Sequence, residues 1–326
     1  MSELYPLLCR PIYMERVWGG RRLARLYDKP LPDNVPIGES WEVADLPEGA
    51  SRVANGPLEG LTLTDVTARL GVDLVGTAWP AGAFPLLVKL LDANDDLSVQ
   101  VHPSADDCDK WFPGCHSKDE SWVVVDAEPG AVVQFGFKPG VTREQFERSL
   151  DDDSIAGLLA PLAVRPGDVL RVAPGMVHAL GRGVAVLEVQ EPSDTTFRIH
   201  DYGRGRQVHI DEARRVVQVV SPEEPLVAPS GFETDWGVWE LLVDVPAYRL
   251  ERIAAESDFG WNIDERTVQV MTVLEGAGLL NWEGGRLRLD PGDTVLLPAR
   301  LGRVELEPLG ALVAVVAGAG GVRLVD

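Results

Sequence analysis

Gly167-Asp168-Val169-Leu170-Arg171-Val172-Ala173-Pro174-Gly175-Met176-Val177-His178 has a counterpart in Gly292-Asp293-Thr294-Val295-Leu296-Leu297-Pro298-Ala299-Arg300-Leu301-Gly302-Arg303. Each is a Gly-Asp turn, an apolar strand and a proline-containing turn. The strands that precede them also rhyme, Trp122-Val-Val-Val-Asp-Ala-Glu-Pro-Gly with Val270-Met-Thr-Val-Leu-Glu-Gly-Ala-Gly. Self-similarity on this scale marks repeated structural units. The economical reading is two related β-barrels in a mainly β protein. Arg303 stands where the first copy has His178, and all five histidines lie before residue 210. Imidazole chemistry is therefore confined to the first unit.

That chemistry gathers upstream of the repeat. In Leu97-Ser98-Val99-Gln100-Val101-His102-Pro103, residues two apart on a strand share a face, so Gln100 and His102 point the same way. Lys118-Asp119-Glu120 adds a carboxylate and Pro174-Gly175-Met176-Val177-His178 a second imidazole. An amide oxygen, two imidazoles and a carboxylate suit a borderline divalent ion such as zinc. With one carboxylate the ion keeps a net positive charge, useful where an anion forms during a reaction.

The chain has 326 residues, room for two ordinary domains or one large β unit. Its 33 glycines and 24 prolines separate many short Val/Leu runs, which favours turns and strands over long helices. A formal charge of −21 argues against nucleic acid and anionic membrane surfaces as partners. Cys9, Cys108 and Cys115 are odd in number and lack a metal-type CxxC spacing, so they read as reduced thiols of a cytosolic protein. The N-terminal Met-Ser-Glu-Leu-Tyr-Pro has no basic segment leading into an apolar core, and no apolar run is long enough to span a membrane. A cytoplasmic chain is expected.

Short extended pieces and turns run to about Pro80, with an alternating strand within Ile37–Asp45. Phe84 to Leu91 is an apolar run interrupted by Lys89, read as a buried strand. Leu97–Val101, Trp122–Val125, Ala131–Phe135, Val169–Val172 and Val184–Val189 are further expected strands. Thr142 and Gln145 predict a capping box opening a helix that ends near Leu150. A second short helix from Ser154 to Leu159 completes a helical insertion of about residues 141–162. Another helix is expected over Asp211–Val220, and Ser221–Pro229, with three prolines, reads as a linker. The expected division is 1–229, carrying the metal ligands, and 230–326, without them.

These motifs resemble those of the cupin superfamily. More specifically, the chain is similar to the short bacterial kind of type I mannose-6-phosphate isomerase. The likeness is carried by Trp18-Gly19-Gly20, Gly38-Glu39-Ser40-Trp41-Glu42, Phe84-Pro85-Leu86-Leu87-Val88-Lys89, the Gln100-x-His102-Pro103 stretch, Lys118-Asp119-Glu120 and Gly175-Met176-Val177-His178. It continues through Glu188-Val189-Gln190-Glu191-Pro192-Ser193-Asp194-Thr195-Thr196-Phe197-Arg198 and Asp201-Tyr202-Gly203-Arg204. It is close from residue 11 to about 215 and loose beyond. The resemblance implies two cupin-type jelly-roll barrels with a small helical insertion. It places one zinc ion per chain on Gln100, His102, Glu120 and His178, an active-site arginine at Arg198 and a lysine at Lys118. Ser98 matches a serine near the substrate phosphate, and Glu188 a carboxylate at the sugar end. Three positions depart from the family pattern: Ala173-Pro174-Gly175 replaces Pro-Ala-Gly, Asp119 replaces a proline, and Glu191 adds a charge. None removes a ligand.

The implied reaction interconverts mannose 6-phosphate and fructose 6-phosphate through a cis-enediol. The ion and Arg198 share the charge that builds on O1 and O2. Lys118, Glu188 and metal-bound water are the alternatives for the proton shuttle, and Lys118 could instead hold the phosphate with Ser98. Trp18 is expected on the floor of the sugar site, His116 on the surface, and His200 and His209 in hydrogen bonds near the chain reversal. Two rival readings are an iron-dependent cupin oxygenase and a sugar-phosphate-binding regulator that has lost turnover. Lys118 and Arg198 favour a phosphorylated substrate over the first, and the intact ligand set disfavours the second. Oligomeric state is left open.

Overall fold

The computed structural model describes residues 4–79 and 82–320. The first three residues of the N-terminal stretch read above, Pro80, and the last six residues of the second expected domain lie outside the described residues. Strands dominate. Six of them form one sheet in the order Val169–Val172, Glu120–Ala127, Val184–Gln190, Leu87–Asp92, Ile37–Val43 and Ile12–Gly20. Against it packs a second sheet ordered Leu159–Ala163, Val132–Phe137, His178–Ala179, Val99–Val101 and Phe197–His200. Trp122, Val124 and Leu170 from the first meet Val133 and Phe135 from the second in one buried cluster.

Residues 230–319 repeat the six-strand order of the first sheet, with a companion of four strands instead of five. One sheet runs Thr294–Leu297, Gln269–Glu275, Leu312–Ala319, Tyr248–Ala255, Gly237–Asp244 and Ser230–Glu233. Its companion runs Gly285–Leu289, Gly278–Trp282, Arg303–Pro308 and Phe259–Asn262. The sequence echo has a physical basis in the two Gly-Asp turns. Gly167 N–H donates to Val124 O and Val124 N–H to Asp168 O; Gly292 N–H donates to Val273 O and Val273 N–H to Asp293 O. Asp168 also accepts from Arg165 N–H, and Asp293 from Asp290 N–H, each closing its own turn. Gly167 and Gly292 adopt φ of 93° and 87°, where a side chain is strained.

The expectation of barrels is corrected in one respect: no sheet closes on itself among the described residues. Each half is a pair of open sheets. The second half gains two strands at its edge, because Leu7–Arg10 pairs with Thr294–Leu297 on one side and Arg52–Val53 on the other. This covers an edge that would otherwise present unpaired backbone groups. Val123, Leu187 and Val189 of the first half share a core with Leu250, Val270, Leu296 and Val315 of the second. Each such side chain contributes roughly 1.5–3 kcal/mol on leaving water. The halves therefore share an apolar cluster between them, beside the clusters that each keeps within itself.

Local signals hold where side chains bond to their own backbone. Thr142 caps Arg143–Asp151 through the expected box with Gln145, and Ile155–Leu158 follows as a 3-10 turn. The helix expected over Asp211–Val220 is shorter, Ile210–Val216, with Val217 already extended. Val217-Gln218-Val219-Val220 has three β-branched valines and approaches Pro222, which favours extended backbone over another helical turn. Ile37–Val43 is a strand, but it is buried on both faces rather than alternating. Its polar side chains are held internally: Ser40 donates to Glu42, which pairs with Lys29, and Glu39 pairs with Arg16.

The reduced-thiol reading is overturned for two of the three cysteines. Cys108 and Cys115 form a disulfide, while Cys9 is a buried free thiol. Ser104 caps the helix Ala105–Trp111, and the chain reverses beyond Phe112, which brings the two Cα atoms to 5.5 Å, within bridging range. A spacing of seven carries no sign of that reversal. Among the described residues, no helix is long and apolar enough to cross a membrane.

Candidate active site

Two rows of side chains face each other between the sheets of the first half. On the smaller sheet, Gln100 is the residue opposite His178 on one side and Arg198 on the other. Cross-strand partners share a face, so the three project together. On the larger sheet, Trp122, Glu188, Lys89 and Trp41 are successive cross-strand partners, with Glu120 two residues before Trp122. His102 follows directly on Val99–Val101 and, like Glu120 and His178, is completely buried.

The imidazoles are fixed in one tautomer. His102 Nδ1 lies 2.9 Å from Thr195 O, and His178 Nδ1 lies 2.9 Å from Met176 O. A carbonyl only accepts, so each Nδ1 carries the proton and each Nε2 of a neutral ring presents a lone pair. Burial, then the Lys118 ammonium, holds His102 neutral by lowering its pKa to about 4. Both Nε2 atoms face the same carboxylate oxygen, Glu120 Oε1, at 3.5 and 3.3 Å. Three potential ligand atoms thus converge, all within 4.8 Å of one another. Neither Glu120 oxygen has a hydrogen bond of good geometry, although Oε2 lies 2.6 Å from Lys118 Nζ as an ion pair. Burial opposes ionisation of Glu120, yet Lys118 and His102 hold its pKa well below the usual carboxylate range. Gln100 completes the group, with its amide nitrogen 3.2 Å from His178 Nε2. Turning that amide over exchanges nitrogen for oxygen at the same place. Lys118 Nζ stands at the edge of the group, also 3.5 Å from His102 Nε2, and three buried ligand-type atoms that converge this closely fit a divalent cation.

A cavity of about 470 Å³ opens beside this cluster. Every other residue expected at the site lines it: Trp18, Ser98, Lys118, Glu188 and Arg198. Arg198 Nε donates to Ser98 Oγ at 3.3 Å and its Nη1 to Gln207 O. Burial and then the charges of Arg206, Arg204 and Arg16 lower the Arg198 pKa against the pull of Asp201. Arg198, Arg206 and Arg16 thus bring three guanidinium groups to the lining of the cavity. Across the cavity, Glu188 accepts from Trp122 Nε1 at 2.9 Å. Burial and then the Glu120 charge raise its pKa, against the opposing effect of Lys118 and Lys89.

The sequence reading missed a charged network on this wall. Lys89 Nζ lies 3.3 Å from Glu188, 3.3 Å from Asp194 and 3.9 Å from Glu39, and 5.3 Å from the centre of the Trp41 ring. Despite burial, the three carboxylates raise the Lys89 pKa, so it stays charged. Arg16 pairs with Glu39, and Arg206 pairs with Asp201 at the rim. The signal for Lys89 was present: a lysine inside a buried strand must be compensated. Its partners, distant in sequence, were not visible. Of the remaining histidines, His116 lies in an exposed loop, His200 bonds Asp153, and His209 accepts from Arg198 N–H.

Residues 5–131 match the catalytic domain of type I phosphomannose isomerase. A probable mannose-6-phosphate isomerase of Bacillus subtilis, GmuF, is 34% identical over 317 residues, spanning 93% of this chain and 96% of that protein. The chain belongs to the type I phosphomannose isomerase family. A mannose-6-phosphate isomerase of Streptococcus mutans is 31% identical, across 90% of this chain and 92% of its own length. The crystal structure of the mannose 6-phosphate isomerase from Bacillus subtilis superposes with a TM-score of 0.88 at 28% identity, covering 96% of this chain and 99% of that one. The likeness to type I phosphomannose isomerases thus spans both halves of the fold.

Proposed function

We propose that this chain interconverts mannose 6-phosphate and fructose 6-phosphate, with Gln100, His102, Glu120 and His178 holding one zinc ion. The observation that carries the reading is the convergence of both Nε2 lone pairs on one orphaned carboxylate oxygen beside a cation-rimmed cavity. Zinc bonds of 2.0–2.1 Å in a tetrahedron set ligand atoms about 3.4 Å apart, which suits the 3.3 and 3.5 Å separations of the imidazole and carboxylate atoms. Bound there, the ion supplies Lewis acidity that makes charge on the substrate's O1 and O2 less costly.

The protein's own residues do the rest. Arg198 offers a planar, permanently charged donor to the enediolate oxygens. Arg206 and Ser98 hold the phosphate on the cationic side. Glu188 moves the proton between C2 and C1, because burial shifts its carboxyl toward neutrality, where exchange with a carbon acid is most effective. Lys89 keeps that carboxylate in place, and Lys118 donates to the sugar oxygens. Trp18, 3% exposed, forms the apolar floor that excludes water. This reading rests on a division into two cupin-type jelly-roll units, 1–229 and 230–326. The matching strand orders support it, with Leu7–Arg10 lent to the second unit's sheet. The cytoplasm is the compartment that suits a doubly charged phosphate ester, which no bilayer passes unaided.

A coupled assay of mannose 6-phosphate turnover tests the proposal. Turnover that is lost on chelation and restored by zinc is the expected result. No turnover by the metal-replete protein overturns it.

A further inference from the structure

The second half carries no metal ligand, yet one of its side chains reaches the segment that carries two site residues. Tyr248 opens the strand Tyr248–Ala255 and is fully buried. Its hydroxyl donates to Asp119 Oδ1 at 3.1 Å and lies 2.8 Å from Ser121 Oγ. Asp119 stands where the family pattern has a proline, between Lys118 and Glu120. Arg171, from the strand paired with Glu120–Ala127, holds the same carboxylate with Nε at 3.2 Å and Nη2 at 2.5 Å. The backbone is tied as well: Asp119 N–H donates to Glu191 Oε2 at 2.9 Å, and Glu191 N–H returns to Asp119 O at 3.1 Å.

Asp119 and Ser121 both meet the Tyr248 hydroxyl, whereas Lys118 pairs with Glu120, so Asp119 lies on the face opposite to Lys118 and Glu120. Lys118 and Glu120 point into the cavity and metal cluster, while Asp119 points to the interior shared by the two halves. A shift of Asp119 must therefore carry Lys118 and Glu120 with it. We propose that Tyr248 is a positioning residue, through which the second half sets, by way of Asp119 and Arg171, where Lys118 and Glu120 stand in the active site. The charge that departs from the family pattern is the contact point, and Tyr248 and Arg171 are its two anchors. A proline there could make neither bond and would also lose the link to Glu191. The inference rests on the isomerase reading above for its kinetic consequence, but not for its structural one.

The test is Tyr248→Phe, which keeps the ring in the core and removes only the hydroxyl. Thr272→Val serves as control: Thr272 makes a buried hydroxyl contact of 3.0 Å to Thr294 in the second half, away from the site. Both variants lose some thermal stability. Only Tyr248→Phe should alter the visible spectrum of the cobalt(II)-loaded protein and weaken its hold on cobalt against a competing chelator. Only Tyr248→Phe should lower kcat, by about tenfold, while KM for mannose 6-phosphate changes less than twofold. In Asp119→Ala, adding Tyr248→Phe should change the spectrum no further, because the oxygen that accepts from Tyr248 is already gone. A Tyr248→Phe protein that matches Thr272→Val in spectrum, cobalt retention and kcat overturns the inference. If the wild type shows no turnover, the isomerase reading fails, and the cobalt measurements still decide the role of Tyr248.

Discussion

Replacing Lys89 by methionine exposes how the charged wall of the cavity is held together. Lys89 is 3% exposed and sits within 3.9 Å of three carboxylates, two of them, Glu39 and Glu188, almost as deeply buried. Methionine fills the volume but removes the ammonium that faces all three. Breaking a buried ion pair on one side costs about 3–5 kcal/mol, because the remaining charge has nowhere to go. For a chain of this size, that lowers Tm by on the order of 5–10 °C near neutral pH. The sign of the pH dependence follows. Without Lys89 the buried carboxylates bind protons more tightly than in the unfolded chain, so the folded variant holds more protons than the unfolded one. Its stability relative to wild type must then recover as pH falls. Thermal unfolding of both proteins at pH 8 and pH 5.5 measures this, and the gap in Tm should narrow at the lower pH. A gap that is absent, or equally wide at both pH values, refutes the claim that Lys89 compensates these carboxylates.

Other consequences are independent of that network. Arg198→Ala should lower kcat by about 10²–10³ with zinc content unchanged, measured by the coupled assay and metal analysis, since it removes one donor to the developing charge. Loss of the metal instead makes Arg198 structural. Cys108→Ser with Cys115→Ser should lower stability by about 2–3 kcal/mol, the entropy of opening a loop closed over a separation of seven, read from denaturation with and without a thiol reductant. Equal stability of the bridged and unbridged proteins excludes that contribution. Thr142→Ala should cost about 1 kcal/mol by removing the cap on Arg143–Asp151 and leave kcat unchanged.

The meeting of His102, Glu120 and His178 was legible because its chemistry is written into residue type and short spacing. Gln100-x-His102 shares a strand face, and the Pro/Gly turn before His178 is local. The duplication was legible for a related reason: a Gly-Asp turn bonds its own neighbours and leaves a pattern in sequence. What sequence could not show is how sheets end and which charges meet across them. Nothing in Leu7-Leu8-Cys9-Arg10 says that it will pair with Thr294–Leu297, and open sheets were read as barrels. Lys89 looked like an interruption in an apolar run because Glu39, Glu188 and Asp194 arrive from three other segments. Ser104 and Asp107 did carry a capping signature, but the acidic run Asp106–Asp109 masked the helix and, with it, the turn that joins the two cysteines.

The central claim is that four side chains from three separate segments grip one catalytic ion. Anomalous diffraction at the zinc edge from crystals of the zinc-loaded protein tests it most directly. The account predicts one strong peak within bonding distance of His102 Nε2, His178 Nε2, Glu120 and the Gln100 amide oxygen. A peak elsewhere, with these four side chains bonded only to one another, contradicts it.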